Sequence, residues 1–98
     1  MTMEIKRNGQ ETTIVLEGRL DTTTAPALDK TVMEDLGDTK SLILDVKGLE
    51  YISSAGLRVL LGAQQKMEEI GAMKLINVGE EIMDVLEMTG FADILTIE

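Results

Sequence analysis

The apolar residues change rhythm several times along the 98-residue chain, and each rhythm predicts an element. Met3 and Ile5 alternate with Glu4 and Lys6, and after Arg7-Asn8-Gly9-Gln10 a second extended run spans Thr12 to Glu17. That spacing predicts a β-hairpin, with Asn8-Gly9 tolerating positive φ at the turn. Gly18-Arg19-Leu20-Asp21 ends the second strand. Thr22, Thr23 and Thr24 offer capping hydroxyls, and Pro26 suits the first turn of a helix. Ala25, Leu28, Val32 and Leu36 recur at helical spacing, and Gly37 closes the segment.

Leu42-Ile43-Leu44 with Val46 is apolar without alternation, which predicts a central strand covered on both faces, followed by a turn. From Gly56 to Ile70, Leu60, Ala63, Met67 and Ile70 share one helical face, while Gln64, Lys66, Glu68 and Glu69 point mainly elsewhere. Gly71 ends that helix. Met73 to Ile76 is a short strand, Glu80 to Met88 a helix carrying Ile82, Val85 and Leu86 inward, and Ile94 to Ile97 a last strand. Gly79 and Gly90 punctuate the third helix on either side. The order β-β-α-β-α-β-α-β implies right-handed crossovers and parallel strands. The expected fold is one α/β domain over residues 1–98: a mixed, mostly parallel sheet of four to five strands with about three helices. The first hairpin strand is expected antiparallel at an edge.

Charge narrows what such a domain does. Nine basic against eighteen acidic residues give a net charge of −9, which repels phosphate backbones and anionic lipid, and suits a partner with a basic face. Tyr51 and Phe91 are the only aromatics, so stacking platforms for single-stranded nucleic acid are missing as well. Without cysteine or histidine there is no disulfide, no thiol nucleophile and no imidazole base or metal ligand. The N-terminus lacks an apolar signal region and no run approaches a membrane span, so the expected compartment is the cytoplasm.

In open α/β sheets, functional groups gather where strands end and helices begin. Three such junctions occur here: Asp21 to Thr24, Ser53-Ser54-Ala55-Gly56, and Asn77-Val78-Gly79. Only the second pairs hydroxyls with a glycine that permits close backbone approach. A serine there commonly caps the helix, satisfying a free N–H. The same place favours negative charge, so it also suits a phosphate. A nucleophilic serine would need a general base, and no histidine provides one. Asp21 either caps the first helix or completes a turn, its alternative role being a polar contact in an interface beside the serine loop. Glu68, Glu69, Glu80, Glu81 and Asp84 fit a solvated face, and no carboxylate spacing argues for a metal. Met33, Met67, Met73, Met83 and Met88 fit the core, with Met83 and Met88 partly exposed.

The segment Asp45 to Leu61 resembles the STAS domain, the fold of bacterial anti-sigma factor antagonists, and the likeness extends along nearly the whole chain. It includes the Gly18-Arg19-Leu20-Asp21 turn, the buried strand ending in Asp45, the Tyr51-Ile52-Ser53-Ser54-Ala55-Gly56-Leu57 loop, and the third helix ending near Thr89-Gly90-Phe91. The resemblance implies a partner-switching regulator with no catalytic residue, cofactor or metal of its own. Unphosphorylated, such a protein binds an anti-sigma factor that is also a serine kinase. The kinase uses ATP to phosphorylate the loop and end the complex, and a serine phosphatase restores binding. Carried onto this chain, the partner surface is Asp21, Thr22, Thr23, Ser53, Ser54, Ala55, Gly56, Leu57 and Arg58. The family pattern, Asp-Ser-Ser-Gly-Leu, places its phosphoserine directly before the glycine, where this chain has Ala55. Ser54 is therefore the expected acceptor, with Ser53 second. Ala55 also favours an alternative, a STAS scaffold or sensor that binds another protein or a small ligand without phosphorylation. The edge strand near the N-terminus fits a monomer or weak dimer.

Overall fold

A computed structural model describes residues 1–98. The elements are β1 (Thr2–Asn8), β2 (Glu11–Leu20), α1 (Ala25–Glu34), β3 (Ser41–Ile52), α2 (Ser54–Ile70), β4 (Ala72–Ile76) and α3 (Glu80–Met88), then a 3₁₀ turn, Phe91–Asp93. The strands form one mixed sheet in the order β1-β2-β3-β4. β1 lies antiparallel to β2, and β2, β3 and β4 run parallel. The hairpin turn is Gly9-Gln10, with Gly9 alone at positive φ (64°), as a II′ turn requires.

The helices share one face of the sheet. A strand order that advances steadily with right-handed crossovers places successive helices on the same side. Burial agrees: Ile14, Leu16, Leu42, Leu44, Val46, Met73 and Leu75 join Leu28, Val32, Leu60, Met67, Ile82 and Leu86 in one cluster of 21 buried residues. The expected cover on both faces of β3 is therefore corrected. Ile43 lies on the other face, outside the cluster, in a row with Lys6, Thr13 and Lys74.

Four further expectations change. β3 runs straight through the expected turn to Ile52, because two register shifts against β2 absorb the irregular backbone. At the first of them the Asp45 carboxylate accepts the Lys47 N–H at 3.1 Å. The expected last strand is reduced to one bridge between Leu75 and Ile97. Only two bonds support it, from Leu75 N–H to Thr96 O and from Glu98 N–H to Leu75 O, both 2.9 Å. Gln64 points inward, only 7% exposed, since it continues the stripe of Leu57 and Leu60 on α2. Its Nε2 reaches Glu68 at 3.3 Å, while its Oε1 has no partner. Met67 and Met73 fill the core as expected, but Met33 is exposed and Met88 at the end of α3 is 87% exposed.

Two cations from outside α1 close its C-terminus. Lys66 Nζ donates to Val32 O (2.7 Å) and Met33 O (3.1 Å), and Arg7 donates to the carbonyls of Asp35 and Leu36. These carbonyls lie at or just beyond the end of the helix, where positive charge is favoured. No helix is long and apolar enough to cross a membrane.

Candidate functional site

The register of β2 on β3 decides which loops meet. Arg19 pairs with Tyr51 and Leu20 with Ile52, so the Ser53 N–H bonds to Leu20 O at 2.9 Å and the Asp21 turn lies beside the serine loop. Gly56 makes the approach close: a Cβ there would stand 2.8 Å from Leu20 Cγ, 2.9 Å from Ile52 Cγ1 and 3.0 Å from Leu20 O. Glycine is needed at this position for space, and its φ is not the reason.

The two serines have different surroundings. Ser53 is the N-cap of α2, in extended conformation (φ −95°, ψ 175°), and its Oγ accepts the Gly56 N–H at 3.3 Å. Its carbonyl takes the Leu57 N–H at 2.9 Å. Ser54 is the first helical residue, two positions earlier than the apolar spacing predicted, and its side chain is exposed with no partner in the chain. Ala55 is half-buried. Gly56 and Leu57 lie buried beneath the loop, so they position this surface from below.

At the start of α1 the N-cap position is Thr24, which makes no side-chain cap bond, and the turn before it is held by Asp21. Asp21 Oδ1 accepts the N–H groups of Thr23 (3.0 Å) and Thr24 (3.2 Å). The Thr24 hydroxyl, which the sequence suggests as a cap, turns instead to the strand, donating to Arg19 O (2.8 Å) and accepting from Asp21 N–H (2.9 Å). The Thr24 N–H holds the Asp21 carboxyl below its ordinary range, against partial desolvation and helped by the Thr23 N–H, the Thr24 hydroxyl and the Arg19 charge. Thr22 and Thr23 are exposed.

Two side chains without a role in the sequence reading complete the surface. The Arg19 guanidinium sits 4.1 Å from the Tyr51 ring centroid, a cation–π contact, and 3.8 Å from Asp21 Oδ2. Tyr51 stays 41% exposed. Their partnership depends on a register with two shifts, which no local pattern reveals. Between the starts of α1 and α2, Thr22, Ala25, Pro26, Ala55 and Val59 line an open cavity of about 260 Å³, with Asp29 and Arg58 bringing opposite charges to it. Asp21, Thr22, Thr23, Ser53, Ser54, Ala55 and Arg58 thus fall in one region of the surface. The third junction stands apart. Asn77, at φ 58°, donates to Asp45 Oδ1 at 3.1 Å, and Gly79 lines a separate groove with Leu49, Glu50, Glu80 and Glu81.

This arrangement can present an exposed hydroxyl at a helix start, beside an open cavity with both polar and apolar lining. The hydrogen bond made by a serine hydroxyl here is the one that Ser53 Oγ accepts from the Gly56 backbone.

Comparison with known proteins adds four findings. The family model for the STAS domain matches residues 2–98. The anti-sigma-B factor antagonist of Bacillus subtilis (strain 168) is 26% identical over 98 residues, covering 99% of this chain and 90% of that protein. Among solved structures, an anti-sigma factor antagonist from Mycobacterium paratuberculosis superposes with a TM-score of 0.86 at 21% identity, over 98% of this chain and 83% of the other. The Bacillus cell fate determinant SpoIIAA in its phosphorylated form gives 0.69 at 17% identity, over 99% and 91%.

Proposed function

Because this chain belongs to the STAS domain family, we propose that it works as an anti-sigma factor antagonist, acting as one cytoplasmic domain by binding rather than by catalysis. The observation that carries this reading is the pairing of the serine loop with the Asp21 turn, which gathers exposed polar groups at the C-terminal ends of two parallel strands. The names of its relatives support the choice of partner. That partner is an anti-sigma factor with a basic face and serine-kinase activity, and a net charge of −9 favours the encounter.

Ser54 is the proposed phosphate acceptor. Its hydroxyl is free and exposed, whereas the Ser53 oxygen is occupied as a cap. The kinase transfers the γ-phosphoryl group of ATP to Ser54 Oγ, breaking the β–γ anhydride bond and releasing ADP and the hydroxyl proton, and the serine becomes a phosphoester carrying about −1.5 to −2 charge. The start of α2 tolerates that charge in the free protein. Enclosed in an interface, a charge without a partner costs roughly 3–5 kcal/mol, enough to end the complex. A serine phosphatase then restores binding.

The test is mass spectrometry of the protein after incubation with its kinase and ATP. One phosphate that survives Ser53→Ala and disappears in Ser54→Ala is the expected result. Phosphate persisting in the double variant would move the site elsewhere, and failure to bind any anti-sigma factor would sink the function. Ala55, at the usual acceptor position, favours a second reading, a STAS module that holds its partner without being phosphorylated. Stable binding with unchanged mass under all conditions distinguishes it.

A further inference from the structure

The sheet has two edges, and they are treated differently. At β4, the Thr96–Glu98 tail bonds to both the N–H and the C=O of Leu75 and blocks the outer side at that residue. At β1 nothing lies outside, and every residue of the strand except Met3 is exposed.

The hairpin fixes which backbone groups are free. Asn8 and Glu11 close the two-residue turn and form a hydrogen-bonded pair, so hydrogen-bonded and open pairs alternate back along the strand. Thr2, Glu4, Lys6 and Asn8 therefore turn their N–H and C=O toward β2. Met3, Ile5 and Arg7 turn theirs outward, three residues with six unpaired groups.

We propose that β1 pairs with β1 of a second copy of this chain, antiparallel, with the two-fold axis between the two Ile5 residues. In that register Ile5 faces the partner's Ile5 in a hydrogen-bonded pair, and Met3 and Arg7 exchange bonds on either side. Glu4 then stands opposite the partner's Lys6, in the open type of pair whose Cα atoms are only about 4.5 Å apart. Each charge occurs twice, giving two reciprocal ion pairs. Within one chain neither residue has an ionic partner: the two ion pairs present are Arg19–Asp21 and Lys74–Glu98, and Glu4 and Lys6 sit across from Val15 and Thr13.

Charged residues on a free edge ordinarily deter pairing. Here the order of signs selects a register instead. Moving the axis to Met3 sets Glu4 against Thr2, and moving it to Arg7 sets Arg7 against itself. Only the axis at Ile5 joins opposite charges. Ile5, 39% exposed beside fully buried Ile14, gains apolar cover on the helix side in the same arrangement. The axis is normal to the sheet, so both helix layers stay on one side and the two serine loops lie at opposite ends, uncovered. One short strand buries less than the roughly 800 Å² per partner of a permanent interface, and two copies of charge −9 repel, so the dimer is reversible.

Sedimentation equilibrium of the full chain over rising concentration tests this. The expected mass climbs from one chain toward two. Glu4→Lys or Lys6→Glu alone sets like charges opposite each other and raises the dissociation constant roughly tenfold or more. The double reversal, Glu4→Lys with Lys6→Glu, recovers most of that loss. Ile5→Pro removes an outward N–H without touching the β1–β2 ladder, and abolishes the dimer. A protein that stays monomeric at all concentrations, a dimer indifferent to the single reversals, or a double reversal no tighter than either single one overturns the proposal.

Discussion

At the scale of residues, the Ser53 oxygen takes the Gly56 N–H while the Ser54 hydroxyl one position on faces solvent, so the two serines separate in experiment. Ser53→Ala is expected to lower stability by about 1 kcal/mol in urea unfolding, the usual cost of a lost cap. Ser54→Ala is expected to stay within about 0.5 kcal/mol while removing the proposed phosphate site. Asp21 gives a pH signature. Its carboxyl is held below the ordinary range when folded, so it stabilises the protein above the unfolded value, and that contribution is lost as pH falls through the lowered one. Unfolding midpoints measured below about pH 4 should therefore fall more steeply for the natural protein than for Asp21→Asn. The polar side chains at the helix starts were legible as candidates because their chemistry is local: a serine or aspartate there finds backbone N–H partners within three residues. Arg19 over Tyr51 was not legible, because it exists only once β2 and β3 have found their register.

At the scale of elements, α2 is seated by its first turn and α1 is finished by its neighbours. Gly56→Ala would drive a methyl group against Leu20 and Ile52, an overpacking expected to cost about 1–3 kcal/mol and to move the serine loop with it. Weakened partner binding in a variant that remains folded by circular dichroism is the check. Lys66→Met strips a cation from the last carbonyls of α1. A loss of about 0.5–1.5 kcal/mol in urea unfolding is expected, since water can partly replace it. The three helices and four strands were legible from periodicity. What periodicity missed has physical causes. The last strand is held by two bonds to one residue, too few for its sequence to differ from a tail. β3 continues past Val46 because bulges, which carry no strong residue signature here, absorb Lys47 and Glu50. Gln64 sits on the buried stripe although its side chain is polar, so its chemistry pointed outward where its position pointed in.

At the scale of the whole molecule, a charge of −9 is spread over a sheet with helices on one side and a bare face on the other. For a basic partner, association should slow steeply as salt rises while dissociation changes little, which stopped-flow mixing measures directly. The same charge explains why composition was so informative about what to exclude and silent about the site: it belongs to no single loop. The tail across Leu75 carries one more consequence. With the tail seated on Leu75 at one edge and the other edge free, each copy offers one open strand, so edge-wise growth stops at a pair and does not propagate into a filament. Removing Thr96–Glu98 would open a second strand, and light scattering that climbs with time in such a truncation would reveal the tail as a chain terminator.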